Sequence, residues 1–238
     1  MVLRGRTALI TGASRGLGLE IARLYAGKGA KLVLVARGEA ALLKVAAELS
    51  AVTEVLALAA DIGEQAEHIA AAALDRFGRI DVLINNASEI GPSPMPSLEA
   101  YPWDALPRVF RTNVIAPLHL TQLVLPQMKA RGEGVIINVT SDAGVQAYPG
   151  WGGYGASKAA LEHLSRTLAV ELEGSGVRVY AVDPGDMNTQ MHRDAEPGVD
   201  LSHLPGPEVA APAFVRLVEE ETAPFARLEA QKLLAIVR

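Results

Sequence analysis

The chain has 238 residues, is half apolar and only 5% aromatic, and carries a formal net charge of −5. That length and apolar content suffice for one large α/β domain or two small ones, and the acidic balance gives no reason to expect nucleic acid or an anionic membrane as partner. With no cysteine, a disulfide framework and a thiolate metal site are both excluded.

The opening "MVLRGRTALITGAS" passes from a very short apolar run into glycine and polar residues. The run is too short for a signal sequence or a membrane span, so a cytoplasmic protein is expected. Short β-branched or leucine-rich runs then recur at Thr7–Thr11, Lys31–Ala36, Glu54–Ala60, Asp81–Asn85, Val135–Thr140 and Val177–Val182. Most are apolar on both faces, as strands buried between helices are. Helical spacing fills the intervals at about 14–28, 39–49, 64–77, 103–130, 154–173 and 208–219. The alternation predicts one parallel sheet covered on both faces, with right-handed crossovers. No repeat or linker divides it, so residues 1–238 are read as a single domain. Two stretches break the rhythm: Ser88–Pro102, with four prolines, and a long connection at 185–207. Both follow strands and so open at the carboxyl edge of the sheet, where such folds bind ligands; the second is read as the substrate loop.

"TGASRGLG" (Thr11–Gly18) joins the first strand to the first helix. Gly12, Gly16 and Gly18 permit φ > 0 and close approach of a pyrophosphate, and the helix N-terminus behind them offers free N–H groups. Ser14 reads otherwise as a helix N-cap. An NAD site commonly carries a carboxylate at the tip of the second strand. Here that strand ends at Ala36 and Arg37, with Glu39 past the tip and Arg15 inside the turn. Two guanidinium groups suit a 2′-phosphate, which points to NADP(H), unless Arg37 and Glu39 are solvated surface charges.

Tyr154 and Lys158 in "YGASK" share a helix face at i, i+4. An ammonium one turn away favours phenolate, the requirement for a tyrosine that exchanges protons near neutrality. Ser141, thirteen residues upstream, is within reach of a carbonyl bound beside Tyr154. Pro117 deprives the Asn113 carbonyl of its helical donor and frees it to hold a water. The plainer alternatives are an amphipathic helix and a proline kink.

Together "TGASRGLG", "NNA" (Asn85–Ala87), Asn113, Ser141, "YGASK" and "DPGDMNT" (Asp183–Thr189) resemble, in order and spacing over residues 5 to 190, the short-chain dehydrogenase/reductase family. The resemblance implies a doubly wound Rossmann-type sheet of six or seven strands in the order 3-2-1-4-5-6(-7). It implies Asn113, Ser141, Tyr154 and Lys158 as catalytic residues, with Tyr154 the general acid of reduction, Ser141 polarising the carbonyl, Lys158 lowering the tyrosine pKa and Asn113 supporting a relay water. Cofactor contacts implied are Gly12, Ser14, Arg15, Gly16, Leu17, Gly18, Arg37, Asp61, Ile62, Asn86, Ala87, Tyr154, Lys158, Pro184, Gly185 and Thr189, with Asn85 structural and the pro-S nicotinamide face presented.

The activity expected is NADP(H)-dependent reduction of a ketone or aldehyde; the alternative is a non-catalytic NADP(H)-binding sensor or scaffold, which has no need of Tyr154. Two departures stand out: Ser88 replaces the glycine of the family's N-N-A-G, and the tail "PFARLEAQKLLAIVR" lacks the usual Asp-Gly-Gly-like ending, with a seventh strand placed near Ala226–Ala230. A homodimer, or a homotetramer, is implied. The five histidines show no metal-ligand spacing, so no metal is expected, and His192 is placed in the substrate loop. Met187, Met191, Tyr148 and Trp151 are read as pocket walls, and Asp142 and Glu89 as groups that meet a polar substrate or solvent.

Overall fold

Seven strands build one sheet: β1 (Thr7–Thr11), β2 (Lys31–Ala36), β3 (Val55–Ala59), β4 (Val82–Asn85), β5 (Gly134–Val139), β6 (Val177–Asp183) and β7 (Phe225–Glu229). The computed structural model describes residues 1–221, 223 and 225–235, so the expected domain of 1–238 is described as far as residue 235, and the last three residues of the tail lie outside. The strand order is β3-β2-β1-β4-β5-β6-β7, and every neighbouring pair is parallel. This is the doubly wound Rossmann-type order, with the seventh strand present: β7 pairs with β6 from Val179↔Phe225 to Asp183↔Glu229.

The strand residues alternate between two cores, one on each face. Ala8 and Ile10 join Ile21, Tyr25, Leu42 and Phe214 on one side. Leu9 and Val33 join Ile69, Leu120, Val124 and Met128 on the other. The first face is covered by α1 (Gly16–Gly27), α2 (Glu39–Ser50) and α8 (Pro212–Glu219), the second by α3 (Ala66–Phe77), α5 (Ala116–Arg131) and α6 (Gly152–Glu171). The remaining helices are α4 (Leu106–Phe110), α7 (Gln190–Ala195) and α9 (Ala230–Ala235).

The helix expected over 103–130 is not continuous. A 3-10 turn at Trp103–Ala105 leads into α4, and a π turn at Arg111–Ile115 separates α4 from α5. The Ala116 N–H bonds the Arg111 carbonyl, an i+5 closure, next to the proline that cannot donate. The 208–219 segment likewise begins as a 3-10 turn, Pro207–Val209, before α8. The long connection at 185–207 contains α7, whose first turn is capped by Thr189 Oγ1 accepting from the His192 N–H at 3.4 Å. The two irregular stretches meet where Ser93 Oγ donates to the Asp194 carbonyl at 2.5 Å.

Candidate active site

The carboxyl ends of β1, β4, β5 and β6 converge on one cleft. At the end of β1, Gly12 and Gly16 hold φ of +67° and +57°, a region unfavourable to side chains. A Cβ on Gly12 would stand 2.8 Å from Asn86 Nδ2, and one on Gly18 would stand 2.4 Å from the Gly12 carbonyl oxygen. Arg15, and not Ser14, occupies the position before α1 and makes no side-chain cap. The first N–H groups of α1 therefore lack a capping side chain, the condition for an anion at a helix N-terminus. Leu17 and Gly18 are buried beneath the turn, while Arg15 is exposed. These features fit a dinucleotide diphosphate.

The end of β4 braces that turn. Thr11 Oγ1 accepts from the Asn86 and Ala87 N–H groups, each at 3.0 Å, and Asn86 Nδ2 donates to the Thr11 carbonyl at 2.9 Å. The Asn86 side chain is thus committed to the turn, and Asn85 Nδ2 to Asn138 Oδ1 at 2.8 Å. At the tip of β2, Arg37 is 65% exposed, with its guanidinium 3.9 Å from the Glu89 carboxylate; Arg108 approaches the same carboxylate at 3.7 Å. Past β3, Asp61 Oδ1 accepts from the Gly63 N–H at 2.8 Å and Ile62 is buried, ahead of α3, which starts only at Ala66.

Tyr154 and Lys158 lie on the buried stripe of α6. Lys158 Nζ donates to the Val139 carbonyl at 2.8 Å and stands 5.4 Å from the Tyr154 ring centroid. The spacing brings amine and phenol together, but burial governs both. It pushes the Tyr154 phenol up; the hydroxyls of Ser88 and Ser141 favour ionisation, and the carboxylates of Asp183 and Asp142 oppose it. It draws Lys158 down to about 7, with Glu162 pulling the other way. In the protein alone burial is the largest influence on Tyr154, and it acts against the lowering expected from the lysine. Ser141, at the end of β5, donates to Asp142 Oδ1 at 3.0 Å and accepts from the Ala143 N–H at 3.2 Å.

Asn113 sits inside the π turn, fully buried. Its Nδ2 donates to the Glu89 carbonyl at 2.8 Å and to Ser157 Oγ at 2.9 Å. Its Oδ1 accepts from the Glu89 N–H at 2.8 Å and from Ser88 Oγ at 3.1 Å. The side-chain amide is fully used in tying the loop after β4 to α6 and has no place left for a water.

Sequence reasoning passed over a buried charge network behind the lysine. Glu162, one turn beyond Lys158, accepts from Thr140 Oγ1 at 2.8 Å, and its two oxygens lie 3.1 Å from Arg227 Nε. Arg227 also approaches Asp183 at 3.6 Å, and Asp183 Oδ1 accepts from the Gly185 N–H at 2.9 Å. The i+4 step from Lys158 to Glu162 was visible in the sequence; Arg227 enters only through the β7 register. Pro184, Gly185 and Thr189 follow β6 on the far side of the cleft, and Thr189 Cγ2 is 3.8 Å from where a Gly16 Cβ would be.

Beside Tyr154 opens a cavity of about 470 Å³, with Ser141, Trp151, Met187, Met191 and His192 in its wall. The Trp151 ring meets the Tyr154 ring edge-on at 5.6 Å. Tyr148 donates to Asp142 at 2.7 Å, which ties that carboxylate into the wall. Among the described residues, no cluster of histidine, aspartate and glutamate is placed to hold a metal, and no helix is long and apolar enough to cross a membrane.

Fold and cleft together define an oxidoreductase of the carbonyl/alcohol class that uses a nicotinamide dinucleotide. The family described as short chain dehydrogenase matches residues 6–200, and the chain belongs to it. It is 31% identical over 234 residues to the 3-oxoacyl-[acyl-carrier-protein] reductase of Thermotoga maritima, covering 94% of each chain. It superposes with a TM-score of 0.86 and 30% identity on the 3-ketoacyl-(acyl-carrier-protein) reductase of Brucella melitensis complexed with NADH, covering 97% of this chain and 99% of that one. A short chain dehydrogenase structure from Shigella flexneri complexed with NADP matches with a TM-score of 0.86 and 29% identity, over 97% and 98% of the two chains.

Proposed function

We propose that the protein is an NADPH-dependent carbonyl reductase in which Tyr154 is the proton donor. The observation that carries this reading is the buried Tyr154–Lys158 pair beside a cavity at the carboxyl edge of the sheet. Bound along the glycine turn, NADPH supplies the hydride that reduces the carbonyl carbon. Tyr154, held as a phenol by burial, gives its proton to the substrate oxygen. Ser141 turns its hydroxyl hydrogen from Asp142 to that oxygen and holds it at the tyrosine, while the Ala143 N–H keeps its bond to the serine oxygen. Lys158 places its amine behind the ring, charged below about pH 7, and binds the nicotinamide ribose. The Asn113 main-chain carbonyl holds the water that leads protons in. The turn at Pro184–Gly185, pinned by Asp183, and Thr189 receive the carboxamide.

Preference for the 2′-phosphate rests on Arg37 and Arg15, because the β2 tip ends at Ala36 with no carboxylate. Asp61 and Ile62 hold the adenine. The protein works in the cytoplasm as a dimer through α5 and α6, where Ile115 in the π turn leading into α5 and Val170 on α6 are exposed at 57% and 70%.

Tyr154→Phe tests the reading. Turnover falls by about three orders of magnitude across a panel of ketones and aldehydes, while the NADPH dissociation constant stays within about twofold. Residual activity above a few per cent overturns the assignment of the donor.

A further inference from the structure

We propose that Arg227 is a positioning residue for the nicotinamide end of the cofactor: from the edge strand β7 it holds Asp183, and through Asp183 the Pro184–Gly185 turn, in the shape that receives the carboxamide. The inference rests on that turn as the seat of the carboxamide. It gives a task to the tail, which departs from the ending that the family resemblance leads one to expect.

The parallel register puts Arg227 opposite Ala181 and Glu229 opposite Asp183, so the arginine enters beside the carboxyl end of β6. Its Nε stands 3.1 Å from both oxygens of Glu162, and its Nη2 lies 3.6 Å from Asp183 Oδ2. The planar guanidinium fixes the angle between these two contacts, which the point charge of an ammonium does not. Glu162 is anchored in turn: it accepts from Thr140 Oγ1 at 2.8 Å, and the Thr140 N–H donates to the Val182 carbonyl at 2.8 Å. The arginine is thus held by α6 and by the residue that follows β5, while its other arm meets Asp183. Each Asp183 oxygen then has its own task. Oδ2 faces the guanidinium, and Oδ1 accepts from the Gly185 N–H at 2.9 Å, across the intervening proline.

The surroundings make the arginine matter. The side chains of Glu162 and Asp183 are each 7% exposed, and that of Arg227 is 24% exposed. Burial pushes the Asp183 carboxyl up from its ordinary value; the Gly185 N–H and Arg227 favour its charged form, and Asp142 and Glu229 oppose it. Glu229 also approaches the guanidinium, at 4.0 Å, but it is 41% exposed and its pull is weakened by water. A charged acceptor grips an N–H more strongly than a neutral one. Removing Arg227 therefore loosens the bond that shapes the turn. The next helix bears on the same place: Gly185 has φ of +76°, and a Cβ there would stand 2.6 Å from Gln231 Nε2 on α9. The tail braces the turn from two residues, one through charge and one through packing.

The test is calorimetric titration of the full chain with two probes. NADP⁺ carries the nicotinamide; adenosine 2′,5′-bisphosphate carries the adenosine and the 2′-phosphate and lacks it. Arg227→Met weakens NADP⁺ by about tenfold and changes the bisphosphate by less than about twofold. Arg227→Lys, which keeps the charge but not the fork, recovers part of the loss and leaves NADP⁺ about threefold weaker than wild type. The lysine variant carries the comparison if the methionine variant does not fold. Equal losses on both probes, as a purely structural arginine would give, overturn the role of Arg227, and so does no loss on either. A wild-type chain that binds the two probes equally tightly overturns the reading beneath it, because the nicotinamide end then has no seat.

Discussion

Lys158→Met isolates the cost of burying an amine in the middle of the fold. Methionine keeps the length of the side chain and removes its charge. In the folded protein burial draws Lys158 from 10.5 to about 7. The unfolded chain thus binds one proton more than the folded chain between those two values. Where the unfolded state holds more protons, stability rises with pH. The charged-form penalty is present in full below pH 7 and disappears as pH climbs toward the unfolded value. Integrated from about pH 7.5 to about pH 9, the gain is about 2 kcal/mol for this single group. For a chain of this size that is roughly 4–8 °C in Tm.

The measurement is thermal unfolding of the nucleotide-free protein at those two pH values, for wild type and Lys158→Met. The histidines are common to both proteins and cancel. Tyr154, raised by burial, stays protonated across the window. The lost bond to the Val139 carbonyl shifts the variant by the same amount at each pH. Wild type therefore gains stability on the variant as pH rises. Parallel Tm changes in the two proteins would refute a buried, readily deprotonated amine.

Two further substitutions probe the cofactor side. Arg37→Asp removes the cation at the β2 tip and puts a carboxylate where NAD-type sites carry one; the NADPH/NADH ratio of kcat/KM falls by about 100-fold, and an unchanged ratio shows that the 2′-phosphate is read elsewhere. Gly18→Ala drives a Cβ into the Gly12 carbonyl at 2.4 Å and Asn86 Nδ2 at 2.6 Å. It costs about 1–3 kcal/mol of stability and about tenfold in NADPH affinity by fluorescence titration. Gly27→Ala in the same helix meets nothing within 4 Å and is tolerated; equal effects of the two would refute the close-packing account.

Strands apolar on both faces announced the parallel sheet because only a covered sheet buries Ile10 and Leu9 on opposite sides. The cleft could be read because helical spacing puts Tyr154 and Lys158 on one face, and a glycine turn is recognisable from composition. What could not be read depended on partners distant in sequence. Pro117 announced a disturbed helix, but whether the chain answers with a kink or a π turn depends on what Asn113 can bond to, and its partners are Ser88, Glu89 and Ser157. Ser88 stood out only as a departure from a pattern. Glu162 had the right spacing but no visible reason to be charged inside a protein until β7 brought Arg227 alongside. Burial had the same effect on the tyrosine: its sign against a neighbouring amine is decided by three-dimensional environment and not by spacing.

That late-arriving arginine has a consequence for how the enzyme is made. The chain emerges from the ribosome amino end first, and the residues proposed for chemistry are all out by Lys158. Glu162 and Asp183 then lack the guanidinium they share until Arg227 is synthesised. A prematurely terminated product would carry every proposed reactive group and still lack the arginine that meets both carboxylates. The support behind Lys158 is thus complete only when an edge strand outside the cavity wall has been made.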